Sequence, residues 1–330
     1  MSAAETPNGD GGAGDDCAAE AFKRLNEQFY NSCPSRYFEH RLNNLLVAAA
    51  ADEKFGPRLR AGIDICGDRI EIGDDERIES DLPADTLGRF VTAESVVLLS
   101  HLAESTMRLF LAHEGRPPCP WFSISSLEFG DFWREVELRF VKPVREVKLQ
   151  ALVADVTLGA PERYDQFPAD QAGWDVAVDR LMMWLRHLAK WLIDIKHPYN
   201  AAKHGFTAMA DQAYFNLIDD ESSTAFLTHS GPSLEYLKHG RWENGERAWS
   251  LTTRWFDPIE LWFTIRVSCD VLEAIWSVGR ARFLGGAEIN VYQPTYTPVE
   301  LRAACGHRSI DTISMPILEE HKLKPPPPAK

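Results

Sequence analysis

The sequence predicts a mainly α fold, a multi-helix bundle with a small antiparallel β-meander or hairpin inserted near residues 211–256. Apolar residues recur at helical spacing through most of the chain, and most regularly in residues 171–197. The dipeptide Asn244-Gly245 lies between two strand-like runs, and it is the strongest short signal for a β-hairpin. Hydrophobic residues make up 45% and charged residues 25% of the 330 positions, which is ordinary for a globular protein.

The two ends of the chain differ in composition from the rest. Residues 1–18 are rich in Ala, Gly and Asp, and they predict a disordered acidic tail. Residues 321–330 include four consecutive prolines, which predict an extended Pro-rich tail. Between these ends we expect residues 19–320 to form a single helical domain that contains the β insertion.

The first elements are two helices and a strand. A helix is predicted from Ala19 to Tyr30, and a second one follows Pro34. Residues 63–72 predict a short strand within an acidic, irregular region. The second helix has one apolar face, formed by Phe38, Leu42, Leu45, Leu46 and Ala49.

A strongly apolar helix is predicted from Thr92 to Glu114, and Gly115 ends it. Ser125 and Glu128 have the spacing of a capping box, which predicts the start of the next helix. Pro143 should kink or end that helix, because proline lacks the N–H that a helix interior requires.

The longest regular pattern occupies residues 171–197. Its apolar residues follow one another at spacings of three and four, which predicts a heptad seam and a central place in the bundle. Pro198 is expected to end this helix, since its ring clashes with the preceding turn. The seam consists of Trp174, Val178, Leu181, Leu185, Leu188, Leu192 and Ile195.

The last elements are the β insertion and a long helix. Strand-like runs flank Asn244-Gly245, and two shorter ones precede them. Asp257-Pro258 then supplies an N-cap and a proline at the first helical position. A helix is therefore predicted from there to Phe283, while residues 285–320 predict no definite element.

Charge is unevenly distributed along this acidic chain, whose formal net charge is −14. Residues 180–206 hold five Lys or Arg side chains against one Asp. Such a basic strip can hold one phosphate backbone without general affinity for DNA. It can equally be the solvated face of a helix.

Cysteine spacing and hydropathy bear on location and cofactors. The six cysteines form no Cys-x-x-Cys pair and no zinc-like pair with His, so we expect reduced thiols and no metal. Arg186, His187 and Lys190 interrupt the most apolar helix, so we expect a cytoplasmic protein with no membrane partner. No cofactor is expected, because the one glycine-rich match, at residues 9–14, follows no strand.

One polar stripe crosses the otherwise apolar 92–114 helix. Glu94, His101, Glu104 and Arg108 share a face, and the last two have the spacing of an ion pair. If the helix is buried all round, the stripe faces an internal polar site. If the stripe faces water, it is the solvent-exposed face of an amphipathic helix.

A second polar group follows Pro198 and combines an amide, an ammonium and an imidazole. Asn200, Lys203 and His204 lie within one or two turns, between Tyr199 and Gly205. Groups of these kinds can recognise or cleave a phosphodiester. A buried helix junction can also hold them for structure alone.

A helix carrying Glu104 and Arg108, followed later by a junction carrying Asn200 and His204, resembles the HEPN family of prokaryotic proteins. The resemblance covers two helices. It implies a compact helical bundle, often dimeric, and in many members a metal-independent ribonuclease of toxin and phage-defence systems.

The usual HEPN motif is an arginine, a polar residue that is often Asn, a few further residues, and a histidine. Asn200 and His204 match its latter part, and Tyr199 stands where the family has arginine. Arg180 and His187 fit the loose spacing literally, but they lie in mid-helix and lack the polar residue, so they rank second.

The resemblance implies a role for each of five residues in RNA cleavage. His204 would take the proton of the 2′-hydroxyl or protonate the leaving oxygen. Asn200 would hold a phosphate oxygen or orient the imidazole. With Tyr199 in place of arginine, Lys203, Arg108 or a second protomer would supply the cation. Glu104 and Arg108 would orient the site.

Two alternatives to cleavage stay open. The chain can be a non-catalytic scaffold or regulatory module that binds a protein or nucleotide partner. The same residues can also be structural, with Asn200 capping the backbone at Pro198 and Lys203 complementing a helix C-terminus. For the ribonuclease interpretation, in a bacterial stress or defence system, the expected partners are RNA, a second copy of the chain and a protein antidote.

Overall fold

The structure, a computed structural model, confirms the mainly α class. It describes residues 12–32, 34–73, 83–142, 146–160, 170–203, 208–218, 225–241, 247–285, 289, 292–306 and 311–319. Its helices are α1 (Gly12–Asn31), α2 (Pro34–Ala49), α3 (Gly56–Ala61), α4 (Ala84–Glu114), α5 (Pro120–Ser126), α6 (Phe129–Val136), α7 (Glu146–Leu158), α8 (Gln171–Lys203), α9 (Pro258–Leu284) and α10 (Pro298–Cys305). No helix within these ranges combines the length and apolar character that crossing a membrane requires.

The described strands form two antiparallel sheets. The smaller is a hairpin of β1 (Ile63–Ile65) and β2 (Asp68–Ile70). The larger has the order β3-β4-β5-β6, so each strand neighbours the next in sequence. Its strands are β3 (Ala208–Ile218), β4 (Ala225–Arg241), β5 (Arg247–Trp255) and β6 (Thr312–Glu319).

The predicted β-meander is confirmed with two changes: the second shorter run and the run before Asn244-Gly245 are one continuous strand, β4, and a further strand, β6, joins the sheet. Arg241 of β4 pairs with Arg247 of β5, as a hairpin around Asn244-Gly245 requires, although that dipeptide lies outside the described residues. Met315 of β6 pairs with Leu251 of β5. The sheet therefore extends beyond the predicted insertion, because a strand from the unassigned region 285–320 pairs with its last strand.

The chain divides into two compact units. Unit 1 comprises Met1–Arg36, Ser105–Leu185 and Asp270–Gln293, and unit 2 comprises Tyr37–Glu104, Arg186–Cys269 and Pro294–Lys330. Both sheets belong to unit 2. Helices α2, α4, α8 and α9 contribute residues to both units. That residues 19–320 form a single helical domain remains a prediction.

The apolar patterns correctly identify the buried helix faces. Every residue of the heptad seam of α8 is at most 5% exposed, which confirms the predicted seam. The apolar face of α2 is likewise buried from Phe38 to Ala49. Burial of this kind supplies most helix stability in proteins, since isolated helices are marginal in water.

Helix ends follow the sequence signals in some places and not in others. Helix α1 begins at Gly12, inside the segment expected to be a disordered tail, while residues 1–11 lie outside the described residues. Helix α4 ends at Glu114, as predicted. A π-helix over Glu137–Val141 continues α6 and ends before Pro143, which is itself outside the described residues. The Asp257 carboxylate accepts from Ile259 N at 2.9 Å, which confirms the predicted N-cap of α9.

The predicted capping box at Ser125 and Glu128 is wrong. Ser125 lies in α5, where its hydroxyl donates to the Trp121 carbonyl at 2.9 Å, and Glu128 precedes α6 without a side-chain cap. The capping box of the described chain lies at the start of α10. There Thr297 Oγ1 accepts from Glu300 N at 3.2 Å, and Glu300 Oε2 accepts from Thr297 N at 2.7 Å.

Unit 1 contains a buried pair of polar aromatic residues, Tyr30 and His113. The Tyr30 hydroxyl lies 2.6 Å from His113 Nε2, and both side chains are almost fully buried. Burial, followed by the charge of Arg282, lowers the pKa of His113 to about 3, so the imidazole is neutral at pH 7. A neutral imidazole can accept the hydrogen bond of the tyrosine hydroxyl.

Gly279 of α9 permits this pair. A Cβ atom at position 279 would overlap His113 Cε1, and it would lie 2.6 Å from His113 Nε2 and 2.7 Å from the Tyr30 hydroxyl. Glycine lowers helix propensity by about 1 kcal/mol relative to alanine. Its presence in mid-helix is therefore explained by the close approach of the two side chains.

We expect Gly279→Ala to lower the free energy of unfolding by about 1–3 kcal/mol, because the added methyl group overpacks the Tyr30–His113 contact. Gly130→Ala is the matched control, since nothing lies within 4 Å of a Cβ at that position of α6. It should be neutral or stabilising. Urea unfolding of both variants measures the difference, and equal stability of the two would contradict the account.

Candidate functional site

Pro198 lies inside α8, which continues to Lys203, so the predicted end of the helix at Pro198 is wrong. A proline inside a helix removes one hydrogen bond, because it has no N–H to donate to the carbonyl four residues earlier. That carbonyl belongs to Asp194. A backbone carbonyl in a helix normally has a hydrogen-bond donor, so the partner of this carbonyl bears on whether the helix can continue.

Arg254 of β5 supplies the missing donor. Its Nη1 donates to the Asp194 carbonyl oxygen at 2.9 Å. The guanidinium carbon also lies 5.7 Å from the ring centre of Trp191 and 5.6 Å from that of Phe256. The bond that Pro198 cannot make is thus replaced by a side chain from the sheet, and the helix extends another turn.

The extended turn of α8 places Tyr199 against α4. The Tyr199 ring, 5% exposed, meets the His101 ring edge-on, with ring centres 5.5 Å apart. Burial, followed by the charge of the nearby Glu104 carboxylate, raises the pKa of Tyr199 to about 12. The stripe of α4 and the segment after Pro198 therefore meet in unit 2, at His101, Glu104 and Tyr199.

Arg41 of α2 covers part of the same stripe. Its Nη1 lies 3.4 Å from His101 Nδ1, and its Nη2 lies 3.5 Å from Glu94 Oε2. An arginine only donates, so Nδ1 of His101 accepts and the ring proton belongs on Nε2. The guanidinium carbon lies 5.7 Å from the ring centre of Tyr37, whose side chain is 59% exposed.

These residues form what we call the Arg41–His101 cluster: Tyr37, Arg41, Glu94, His101, Glu104 and Tyr199. It combines a cation, an imidazole and an exposed aromatic ring. The Arg41 side chain is 24% exposed and that of Glu94 36%, so the cluster is accessible to solvent. A cation and an imidazole side by side can hold a phosphate and move a proton.

The five residues implied by the resemblance have different surroundings. Glu104 lies in the cluster, and Asn200 follows Tyr199 in α8, where it is half-buried. Lys203 is the last residue of α8. His204 lies outside the described residues. Their roles in a site stay predictions.

Two contacts of Arg108 lie within unit 1. Its Nη1 donates to the Leu127 carbonyl at 3.0 Å, and its guanidinium lies 4.3 Å from the ring centre of Phe132. The other arginine–histidine pair with the spacing of the motif has one residue in each unit: Arg180 belongs to unit 1 and His187 to unit 2. Arg41 was not predicted as a site residue, although Tyr37 and Arg41, four residues apart, share a side of α2.

Comparisons with known proteins assign no family to the chain: no family model, no curated protein and no solved structure matches it. The described side chains also include no group of three or more His, Cys, Asp or Glu placed to hold a metal ion. Function is therefore argued from the geometry of the residues themselves.

The replacement of a helix hydrogen bond by Arg254 predicts coupling between positions 198 and 254. Arg254→Gln should lower the free energy of unfolding by about 1–3 kcal/mol, because it leaves the Asp194 carbonyl without its donor. In the Pro198→Ala background the loss should be smaller by about 1 kcal/mol, since the restored N–H bonds that carbonyl. Denaturant unfolding of the four proteins gives the coupling, and equal losses in both backgrounds would refute it.

Proposed function

We propose that unit 2 binds RNA at the Arg41–His101 cluster and cleaves it without a metal ion, as a HEPN-like protein of a bacterial stress or defence system. The observation that carries the proposal is the contact of Arg41 Nη1 with His101 Nδ1, 3.4 Å apart, beside the turn of α8 that carries Asn200. In this proposal the Arg41 guanidinium supplies the cation that Tyr199, in the place of the family's arginine, cannot supply.

The proposed reaction is an internal transesterification of RNA. A bound phosphate draws the Arg41 guanidinium toward its oxygens and releases Nδ1 of His101. That nitrogen takes the proton of the 2′-hydroxyl, and the 2′-oxygen forms a bond to phosphorus. The bond from phosphorus to the 5′-oxygen breaks, and the imidazolium returns the proton to the leaving oxygen. The products end in a 2′,3′-cyclic phosphate and a 5′-hydroxyl.

The other groups of the cluster have supporting roles in this proposal. The exposed ring of Tyr37 offers a face on which a base can stack. Asn200 and Lys203 are proposed to contact phosphate oxygens, as the resemblance implies. A cytoplasmic location, a second copy of the chain and a protein antidote belong to the same proposal.

A non-catalytic module that binds a protein or nucleotide partner is the second candidate. The observation that favours it is the burial of Tyr199 against His101, because a buried ring fills the position of the family's catalytic arginine. RNA binding without cleavage would support the non-catalytic module.

We expect the wild-type protein to cleave single-stranded RNA and His101→Ala to lose about 10²–10⁴-fold in rate, since general acid–base catalysis contributes that much. Arg41→Gln should weaken binding of an RNA that carries 2′-deoxy sugars, whereas His101→Ala should bind it as the wild type does. His40→Ala, which removes an exposed histidine next to Arg41 in α2, is the matched control.

His204→Ala separates the proposed site from the one implied by the resemblance alone. Loss of cleavage in His101→Ala with full activity in His204→Ala supports the Arg41–His101 cluster, and loss in both supports a shared site. Full activity in His101→Ala would overturn the proposal. Equal amounts of cleaved RNA from the wild type and both variants would show that neither histidine catalyses cleavage and would eliminate the ribonuclease proposal.

A further inference from the structure

A cleft in unit 2 lies beside α8, β5 and α10, and the proposed RNA chemistry does not use it. Its volume is about 460 Å³, which is within the range of small-molecule sites. Three cationic side chains line it, Lys190, Arg254 and Arg302, together with the carboxylates of Asp194 and Asp311. We call it the Arg254 cleft.

Two of the three cations already have carboxylate partners. Lys190 Nζ lies 2.6 Å from Asp194 Oδ2, and Arg302 Nε lies 3.2 Å from Glu260 Oε1. The side chains of Lys190 and Arg302 are 69% and 48% exposed, so these pairs contribute little to stability. A ligand anion can therefore compete for both cations at small cost.

Arg254 forms no ion pair with any residue in the described part of the chain, although it is half-buried. Burial is the first cause that lowers the pKa of its guanidinium. Tyr236 and the carboxylates of Asp194 and Asp311 oppose this effect only in part, so a cost of burying the charge remains. An anion bound in the cleft would reduce that cost, and a guanidinium can grip two phosphate oxygens at once.

The Arg254 guanidinium is fixed in place before any ligand arrives. The bond from Nη1 to the Asp194 carbonyl and the rings of Trp191 and Phe256 hold it. Nε and Nη2 donate to no residue within the described ranges, and they remain available for a ligand. A donor held in position loses little conformational entropy on binding, which favours affinity.

The remaining lining groups suit hydroxyl groups rather than a second anion. The Asp194 and Asp311 carboxylates accept hydrogen bonds and repel additional negative charge. Burial, with smaller contributions from Arg302 and Lys190, lowers the pKa of His187 to about 4, so this imidazole is neutral at pH 7. A ligand that fits the cleft thus carries one anionic end and several hydroxyl groups.

We infer that the Arg254 cleft binds a phosphorylated sugar, either free or as part of a mononucleotide. Arg254 and Arg302 contact the phosphate, the carboxylates of Asp194 and Asp311 accept from sugar hydroxyls, and Trp191 forms one wall. The cleft and the Arg41–His101 cluster share no side chain, so a substitution of Arg302 tests the cleft without altering the cluster proposed to cleave RNA.

Calorimetric titration of the full chain with ribose 5-phosphate tests the inference, with ribose and inorganic phosphate as comparison probes. Ribose 5-phosphate should bind more tightly than either one, because only it satisfies both kinds of group. Arg302→Gln should weaken its binding by at least about tenfold. Arg266→Gln, an arginine of α9 that does not line the cleft and pairs with Glu39, should bind as the wild type does.

A test of Arg254 in binding requires a protein in which the loss of its hydrogen bond to the Asp194 carbonyl does not disturb the helix. Pro198→Ala alone should bind ribose 5-phosphate as the wild type does. Pro198→Ala/Arg254→Gln, in which the Asp194 carbonyl regains a helix donor, should fold and lose binding by at least about tenfold. Equal affinity of these two proteins would overturn the inference.

Two further results would also overturn it. One is the absence of binding heat with ribose 5-phosphate at about 5 mM, where even millimolar affinity is detectable. The other is equal affinity for inorganic phosphate and ribose 5-phosphate, which would leave the sugar without a role. Adenosine 5′-monophosphate identifies the source of the sugar phosphate: tighter binding than ribose 5-phosphate assigns a mononucleotide, and equal or weaker binding assigns a free sugar phosphate.

Discussion

The hydrogen bond from Arg254 to the Asp194 carbonyl is the interaction on which both candidate sites depend. Proline in mid-helix removes a donor, and here a side chain from β5 replaces it at 2.9 Å. The helix can then continue past Pro198, which sets the direction in which the next residues point. The same bond fixes the Arg254 guanidinium at the edge of its cleft.

The helical turn after Pro198 explains how two segments far apart in sequence form one cluster. Tyr199 is directed into α4, where its ring contacts His101 and its hydroxyl group is close enough to Glu104 for the charge to affect its pKa. Arg41 then covers the stripe from α2. The cation of the cluster therefore comes from a different helix from the one that carries Tyr199.

The apolar patterns made the fold predictable, and long-range polar contacts made the sites unpredictable. Heptad spacing identified the buried face of α8, and Asp257-Pro258 identified the start of α9, because both signals are local. The effect of Pro198 was mispredicted because its compensating donor lies 60 residues from Asp194 in the sequence. Helix propensities contain no information about such a partner.

The Arg41–His101 cluster and strand β6 were also not predictable from local sequence patterns. The α4 stripe was visible in the sequence, but its partner Arg41 lies 60 residues before His101, and nothing local indicates the pairing. Strand β6 was missed because its only described strand partner, β5, comes from before α9. Short strands of this kind are recognised through the strand they pair with rather than through their own pattern.

Amide hydrogen exchange of residues 199–203 is the most direct measurement of the role of Arg254. The account predicts that these amides are protected in the wild type, lose protection in Arg254→Gln, and regain it in Pro198→Ala/Arg254→Gln, while the amides of α2 stay protected throughout. Equal protection of residues 199–203 in the wild type and Arg254→Gln would show that the helix continues past Pro198 without this hydrogen bond, and it would contradict the account.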